Sequence, residues 1–370
     1  MGWQRFLLVV WLLGIWLALA GTVVASADGP FVLQQFRVPL GGDLGGLEAL
    51  LVRPSEPGRY PLTLIAHGSP RPGLERPNIT PLSMLPQALE FVRRGWAAVI
   101  VMRRGYGSSD GAWAETFGTC DNPNYIASGL AGAADLKMTL EFLSHRPDLD
   151  PTRMISVGVS AGGFVTAALT ADPPPGLVAA ISFAGGRGSL EDDHVCRPDR
   201  LIDAFGAFGK RSRVPMLWVY AANDHVFGPA LAQQLKAAFA SAGGSVDFIS
   251  APAFGTDGHT LFSPAGIPEW TPYVEAFLRQ QNLTMRSTPL PLPLPAITAP
   301  KVLGANGQKA FAAFLIDAPH KAFALAPDGS FGWKAGVRTV DAARASALKF
   351  CQQNGTSCSV MFVDDAAVAR

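Results

Sequence analysis

Hydrophobic and polar positions fall into two kinds of block along this chain. Short, almost wholly apolar runs end in glycine, proline or polar clusters, and between them lie longer stretches with apolar residues three and four apart. The first kind predicts strands buried on both faces and the second predicts amphipathic helices. Residues 31–40 and 47–53, around Gly41-Gly42-Asp43, predict an opening hairpin. Six further strands are predicted at 61–66, 96–102, 154–157, 177–183, 214–220 and 245–250. Helices are predicted at 81–94, at 163–170, on a face with Leu231, Leu235 and Phe239, and around 273–278. The longest predicted helix turns Ile126, Leu130, Ala133, Leu136, Leu140 and Leu143 inward. Strands alternating with helices mean β-α-β units and a parallel sheet, with the hairpin as an antiparallel piece at one edge. Such sheets bind ligands beyond the carboxyl ends of their strands.

Two stretches break the rhythm. Residues 185–213 are polar, hold Cys196 and are weakly helical over 201–208, which predicts an insertion capping the site. From residue 283 proline accumulates, and the run from Pro289 to Pro295 predicts a stiff linker over 283–300. Residues 301–370 then read as a small separate unit, with strands at 310–316, 321–325 and 359–363, a turn at Asp328-Gly329 leading into Gly332-Trp333, and a helix at 341–350.

Composition narrows the class. Of 370 residues 48% are hydrophobic and 16% charged, enough for a sizeable core. A net charge of +1 with no basic block offers nothing to nucleic acid. At the N-terminus Arg5 precedes an apolar run that ends in Ala25-Ser26-Ala27, which predicts a signal peptide over residues 1–27 and an exported, periplasmic or secreted protein. The alternative is an uncleaved span, the one case in which the membrane would be a partner. In an exported chain four cysteines predict two disulfides. Cys351 and Cys358 are close enough to pair locally, leaving Cys120 for Cys196. No metal-site spacing is present, and N-x-[ST] triplets at Asn78, Asn282 and Asn354 read as chance.

The chemistry centres on Gly158-Val159-Ser160-Ala161-Gly162, which fits a G-x-S-x-G turn between a buried strand and a helix. Glycines on both sides allow a sharp turn that lifts a serine hydroxyl clear of the sheet, beside the positive end of the helix. A serine nucleophile needs a base, and the base needs an orienting acid. Asp224 follows the strand at 214–220 and His259 follows the strand at 245–250, so the order serine, acid, histidine predicts Asp224 as acid and His259 as base. His225 is the competing base, but it adjoins Asp224 on an extended loop. Asp257 is the competing acid, but it sits two residues from His259 and reads as a turn former. Asp193 and His194 lie in the insertion and read as surface or substrate-facing. For the oxyanion, the amides of Ala161 and Ser69 are the predicted donors, with His67 a structural hydrogen bonder beside Gly68.

Taken together, His67-Gly68, the loop from Arg104 to Gly111, the Ser160 turn, Asn223-Asp224 and Gly258-His259 resemble the α/β-hydrolase superfamily over about residues 30–282. The pattern looks most like its dienelactone hydrolase and prolyl-oligopeptidase-like branch. Ser160 stands where dienelactone hydrolases typically carry a cysteine. The resemblance implies an α/β-hydrolase fold, with a mostly parallel eight-stranded sheet and helices on both faces, to which the tail adds a small α+β domain. It also carries catalytic roles onto Ser160, Asp224 and His259. The expectation is a catalytic domain over 28–282 that cleaves an ester or similar acyl bond through an acyl-enzyme, on a small-molecule or peptide substrate, without cofactor or metal. The competing readings are a serine peptidase, an acyltransferase and a non-catalytic binding protein on the same scaffold.

Overall fold

The structure is a computed structural model that describes residues 29–368. The signal-peptide and membrane-anchor expectations lie outside the described residues. Strands β1 (Phe31–Val38) and β2 (Leu47–Pro54) form the antiparallel hairpin. The alternating part follows as β3 (Tyr60–Ala66), α1 (Leu85–Arg93), β4 (Ala97–Val101), α2 (Tyr125–Leu143), β5 (Leu149–Val159), α3 (Ala161–Leu169) and β6 (Leu177–Phe183). A small hairpin, β7 (Ser189–Glu191) and β8 (His194–Val195), precedes α4 (Pro198–Arg211). Then come β9 (Met216–Ala221), α5 (Pro229–Ser241), β10 (Val246–Ala251) and α6 (Ile267–Gln280).

Eight strands make one sheet in the order β1-β2-β4-β3-β5-β6-β9-β10. The run from β4 to β10 is parallel throughout, and β2 joins it antiparallel to β4. Alternate residues of each strand feed opposite layers. On β3, Leu64 packs in the layer with Leu136 and Leu140 of α2 and Phe164 of α3, whereas Ile65 packs in the layer with Phe91 of α1 and Trp270 and Phe277 of α6. Burial on both faces is why these strands read as continuous apolar runs.

The long helix lies where its periodicity puts it, with Ala133, Leu136, Leu140 and Leu143 buried, but its first two turns differ. Ile126 and Leu130 are 41% and 46% exposed, not inward. Gly129 and Gly132 face the core instead: a Cβ on Gly132 would lie 2.4 Å from Val165 Cγ1, and one on Gly129 would lie 2.7 Å from Phe208 Cζ. Helix packing here is by close backbone approach, which a reading of apolar side chains misses.

The stretch 185–213 has two different fates. Its first part, with the β7–β8 hairpin, lies over the strand ends. Its second part, α4, buries Leu201, Ala204, Phe205 and Phe208 in the helical layer beneath. Only the first part lies where a cap would. Cys120 bonds to Cys196, and Cys351 to Cys358, the pairing that the sequence spacing implies. Two disulfides indicate an oxidising, extracytoplasmic location.

Residues 283–300 carry no regular element, yet they are laid on the main body. The Arg286 and Leu290 amides donate to the carbonyls of Arg94 and Arg93, at 2.9 and 2.8 Å. Beyond them α7 (Ala305–Ile316), β11 (Ala322–Leu325), β12 (Phe331–Lys334), α8 (Val340–Gln352), β13 (Ser359–Val363) and β14 (Ala366–Ala367) form a small antiparallel sheet, β12-β11-β13-β14, with helices. The strand expected at 310–316 is the second half of α7. A short apolar run does not separate helix from strand, and here Phe311 and Phe314, three apart, enter one core together.

Candidate active site

The turn after β5 is forced by contacts on both sides of the serine. A Cβ on Gly158 would lie 2.2 Å from the Gly162 carbonyl oxygen, and one on Gly162 would lie 2.0 Å from that of Ala66. Only glycine fits at either position. Ser160 between them has φ 56° and ψ −123°, in the region that non-glycine residues seldom occupy, and it directly precedes α3. Gly68 permits the next approach, since a Cβ there would sit 3.3 Å from Ser160 Cβ.

Beyond the strand ends lies a cleft of about 380 Å³ whose lining includes Ser69, Ser160, Ala161 and His259. The loops after β3, β5 and β10 thus deliver four of the predicted residues to one cavity. Asp224, from the loop after β9, lies behind His259. Its side chain is fully buried, and Oδ2 stands 3.2 Å from His259 Nδ1. Its other oxygen accepts from the amides of Val226 and Phe227, each at 2.8 Å. Burial pushes the Asp224 carboxyl up, but His259 and the two amides outweigh it and hold it below the ordinary carboxylate value. With Nδ1–H directed at Asp224, Nε2 is the free face of the imidazole. Ser160 Oγ and His259 share the cleft without a hydrogen bond between them.

The competitors are placed elsewhere. His225 Nδ1 stands 3.3 Å from Asp193 Oδ2 on the exposed rim. Asp257 Oδ1 accepts the amides of His259 and His225, at 2.9 and 3.2 Å. His194 pairs with Glu191 at the surface. Among the described residues no cluster of His, Cys, Asp and Glu could hold a metal, and no helix is long and apolar enough to cross a membrane.

His67 has a definite local task. It is 2% exposed, its Nδ1 lies 2.6 Å from the Gly68 carbonyl, and its Nε2 accepts the Arg103 amide at 3.2 Å. Those partners specify the neutral Nδ1–H tautomer, and burial, with Arg103 adding to it, pushes the imidazole well below its ordinary value. In a trans peptide the carbonyl and the next N–H point opposite ways. Pinning the Gly68 carbonyl toward His67 therefore turns the Ser69 amide outward.

One cluster was not anticipated. Arg103 and Arg187 both pair with Glu115, and Arg103 and Glu115 are fully buried. Burial pushes Glu115 up, but the two guanidiniums hold it down at about 2. The Tyr106 hydroxyl links the cluster to the loop after β3, standing 3.3 Å from Glu115 Oε2 and 3.0 Å from Ser69 Oγ. The available signal was that Arg103 follows a fully apolar strand with only Met102 between, so it starts inside the protein.

A strained serine at the tip of a parallel strand, followed by a helix, with a histidine–aspartate pair on later strand ends of a mixed eight-stranded sheet, is the layout in which comparison with known proteins becomes informative. An acylaminoacyl peptidase from Pyrococcus horikoshii superposes with a TM-score of 0.50 at 17% identity, over 72% of this chain and 44% of its own. The chain has the α/β-hydrolase fold. Other solved structures resemble it more loosely. An acetyl xylan esterase from Paenibacillus sp. R4 gives a TM-score of 0.49 at 17% identity, over 71% of this chain and 88% of that one. A putative dienelactone hydrolase from Klebsiella pneumoniae subsp. pneumoniae MGH 78578 gives 0.47 at 14% identity, over 69% and 99%. The family model X-Pro dipeptidyl-peptidase (S15 family) matches residues 43–209. That match includes Ser160 and ends before Asp224 and His259. No curated protein matches the sequence.

Proposed function

We propose that this α/β-hydrolase is a serine hydrolase that cleaves an ester, with Ser160 as nucleophile, His259 as base and Asp224 as the orienting acid. The observation that carries the reading is the buried Asp224–His259 pair facing the same cleft as a serine held at positive φ. Ser160 Oγ attacks the acyl carbon while His259 Nε2 takes its proton. His259 then protonates the leaving alcohol, and water releases the acyl-enzyme by the reverse sequence. The amides of Ala161 and Ser69 receive the oxyanion. Ala161 opens α3, so its N–H has no partner within the helix, and the Ser69 N–H is aimed by the His67–Gly68 contact. Catalytic hydrogen bonds in an empty site are often long and close only around substrate, which accords with the open Ser160–His259 pair.

The S15 family match favours a peptidase as the second reading. An X-Pro dipeptide is released from an amino terminus, so its substrate brings an ammonium group. No carboxylate lines the cleft, and three arginines do, which supports an ester over a peptide with a charged amino end. A cleaved leader at residues 1–27 accords with the two disulfides, and N-terminal sequencing of mature protein tests it.

Ser160→Ala is expected to lower turnover of 4-nitrophenyl acetate by on the order of 10³-fold or more. A fluorophosphonate probe is expected to label Ser160, located by peptide mapping. Undiminished turnover by the pure variant removes Ser160 from the mechanism, and faster cleavage of Xaa-Pro anilides than of esters moves the protein to the peptidases.

A further inference from the structure

The glycine-rich loop after β4 supplies none of the three residues assigned to the chemistry, yet it stands behind the loop that carries Ser69. Gly105 lets it fold back on itself: its φ is +79°, and a Cβ there would lie 2.5 Å from Trp113 Cα. That return brings Tyr106 and Trp113 together. Tyr106 is fully buried, and its ring packs across that of His67 with 4.6 Å between centroids. Trp113 lines the cleft with Ser69 and Ser160, and the Arg76 guanidinium covers its face at 3.4 Å.

Hydrogen bonds join these residues in one line. Trp113 Nε1–H donates to the Tyr106 hydroxyl at 3.1 Å, the Tyr106 hydroxyl donates to Ser69 Oγ at 3.0 Å, and the Ser69 hydroxyl donates to the Pro70 carbonyl at 3.3 Å. All three donate in the same direction, so each polarises the next. A buried tyrosine hydroxyl needs a partner, and Glu115 Oε2, a second acceptor at 3.3 Å, would meet that need alone. The bond to Ser69 is the additional one, and it reaches the residue whose amide is aimed at the oxyanion. His67 fixes the Gly68 carbonyl, and with it the plane of the Gly68–Ser69 peptide. Tyr106 fixes the side chain on the other side of the Ser69 N–Cα bond. With both held, the amide cannot swing without breaking one of the two contacts.

We propose that Tyr106 is a positioning residue for the oxyanion site: its hydroxyl holds Ser69 so that the Ser69 amide stays in line with the developing charge, and Trp113 holds Tyr106 in turn. Tyr106 is not among the residues that line the cleft and acts only through Ser69. This rests on the serine-hydrolase reading above and adds a residue to it; the bonds made and broken are those already given. A donor aimed at charge that exists only in the transition state acts on kcat more than on KM.

Tyr106→Phe keeps the ring against His67 and removes only the hydroxyl. Its kcat on 4-nitrophenyl butyrate is expected to fall about tenfold or more, with KM within about twofold. The loss is smaller than the about 10²- to 10³-fold of deleting an oxyanion donor, because the Ser69 N–H remains. Butyl trifluoromethyl ketone tests the alignment without turnover: Ser160 Oγ adds to its carbonyl carbon, the proton passes to His259 and the carbonyl electron pair becomes an oxyanion. Its inhibition constant is expected to rise by about the factor by which kcat/KM falls. Ser69→Ala removes the acceptor but keeps the amide, and adding Tyr106→Phe to it is expected to lower kcat little further. If Tyr106→Phe fails to fold, Ser69→Ala, at a half-buried position, carries the test with the same expected losses. Unchanged kcat in either folded variant, a fall in kcat with unchanged ketone affinity, or multiplicative losses in the double variant overturns the role of Tyr106, while fluorophosphonate labelling of Ser160 leaves the hydrolase reading standing. Wild-type protein that neither labels nor turns over the ester sinks both.

Discussion

Arg338 meets Glu48 with both prongs of its guanidinium, at 3.0 and 3.2 Å, across 290 residues of chain. The same Arg338 Nη2 donates to the Ile79 carbonyl at 2.8 Å, and Glu48 Oε2 also accepts the Ser108 amide at 2.7 Å. One residue before Ser108, the Gly107 amide bonds to the Arg76 carbonyl at 2.9 Å. The small C-terminal unit is thus tied to the loop that brings Arg76 to the cleft. Arg338→Ala is expected to cost about 1 kcal/mol in urea melts, since the pair is half exposed but two-pronged. It is also expected to raise KM for 4-nitrophenyl butyrate more than it lowers kcat. A variant with full stability loss and unchanged KM would leave the contact a simple staple.

Asp224→Asn keeps the shape beside His259 but removes the charge and the tautomer preference. The expected result is a fall in kcat of about 10³ to 10⁴-fold with KM nearly unchanged, read from steady-state kinetics on a nitrophenyl ester. The direction of the Asp224 shift gives a matching stability effect. Its folded value lies below its ordinary value of 3.8. The stabilisation is therefore present above that ordinary value and is lost as pH falls through the folded one.

Glu115→Gln leaves Arg103 and Arg187 buried without their shared carboxylate, at a cost of about 3–5 kcal/mol. Glu115 goes from 4.5 when exposed to about 2 in the fold. Its contribution is thus full above 4.5 and disappears as pH drops toward 2. Melting temperatures of the two proteins are expected to differ most at neutral pH and to converge across that acid window. A constant difference down to the acid end would mean that the carboxylate's charge is not what stabilises the cluster.

The Cys120–Cys196 bond closes a loop with a sequence separation of 76, whereas Cys351–Cys358 closes one of 7. Replacing the first pair by serines is expected to cost about 2–4 kcal/mol, and the second less, because a longer loop gains more freedom when released. The first change is also expected to speed amide exchange in the β7–β8 hairpin over the cleft, where Cys196 is further held by the Tyr125 hydroxyl, 2.5 Å from its carbonyl. Equal losses for the two pairs would contradict the loop-length argument.

Features with a local physical origin were legible in the residues. The strands of the main sheet announce themselves because burial on both faces leaves no polar positions in runs such as Ala97–Val101. The turn at Ser160 is partly local, since a Cβ on Gly158 would strike the Gly162 carbonyl at 2.2 Å, whereas the 2.0 Å collision at Gly162 is with Ala66 on a neighbouring strand. Signals without that locality misled. The apolar run ending at Ile316 suits strand or helix, and only its partners, Phe323 and Phe362 in the same core, make it a helix. At the start of α2 the inward face is marked by two glycines, which carry no hydrophobic signal at all, while Ala133, Leu136, Leu140 and Leu143 further along were legible.

What the order of residues could not convey was which charges meet. Asp224, not Asp257, is the carboxylate within reach of the His259 ring, because neighbouring parallel strands β9 and β10 end side by side and bring residues 35 apart into contact. Glu115 receives Arg187 from 72 positions away for a similar reason, as the loops after β4 and β6 converge over the ends of the intervening strands. Strand propensity and collisions within a turn act over a few residues and are written in short stretches of chain. Ion pairs across a cleft depend on the order in which strands lie in the sheet, and that order emerges only when both helical layers close on it.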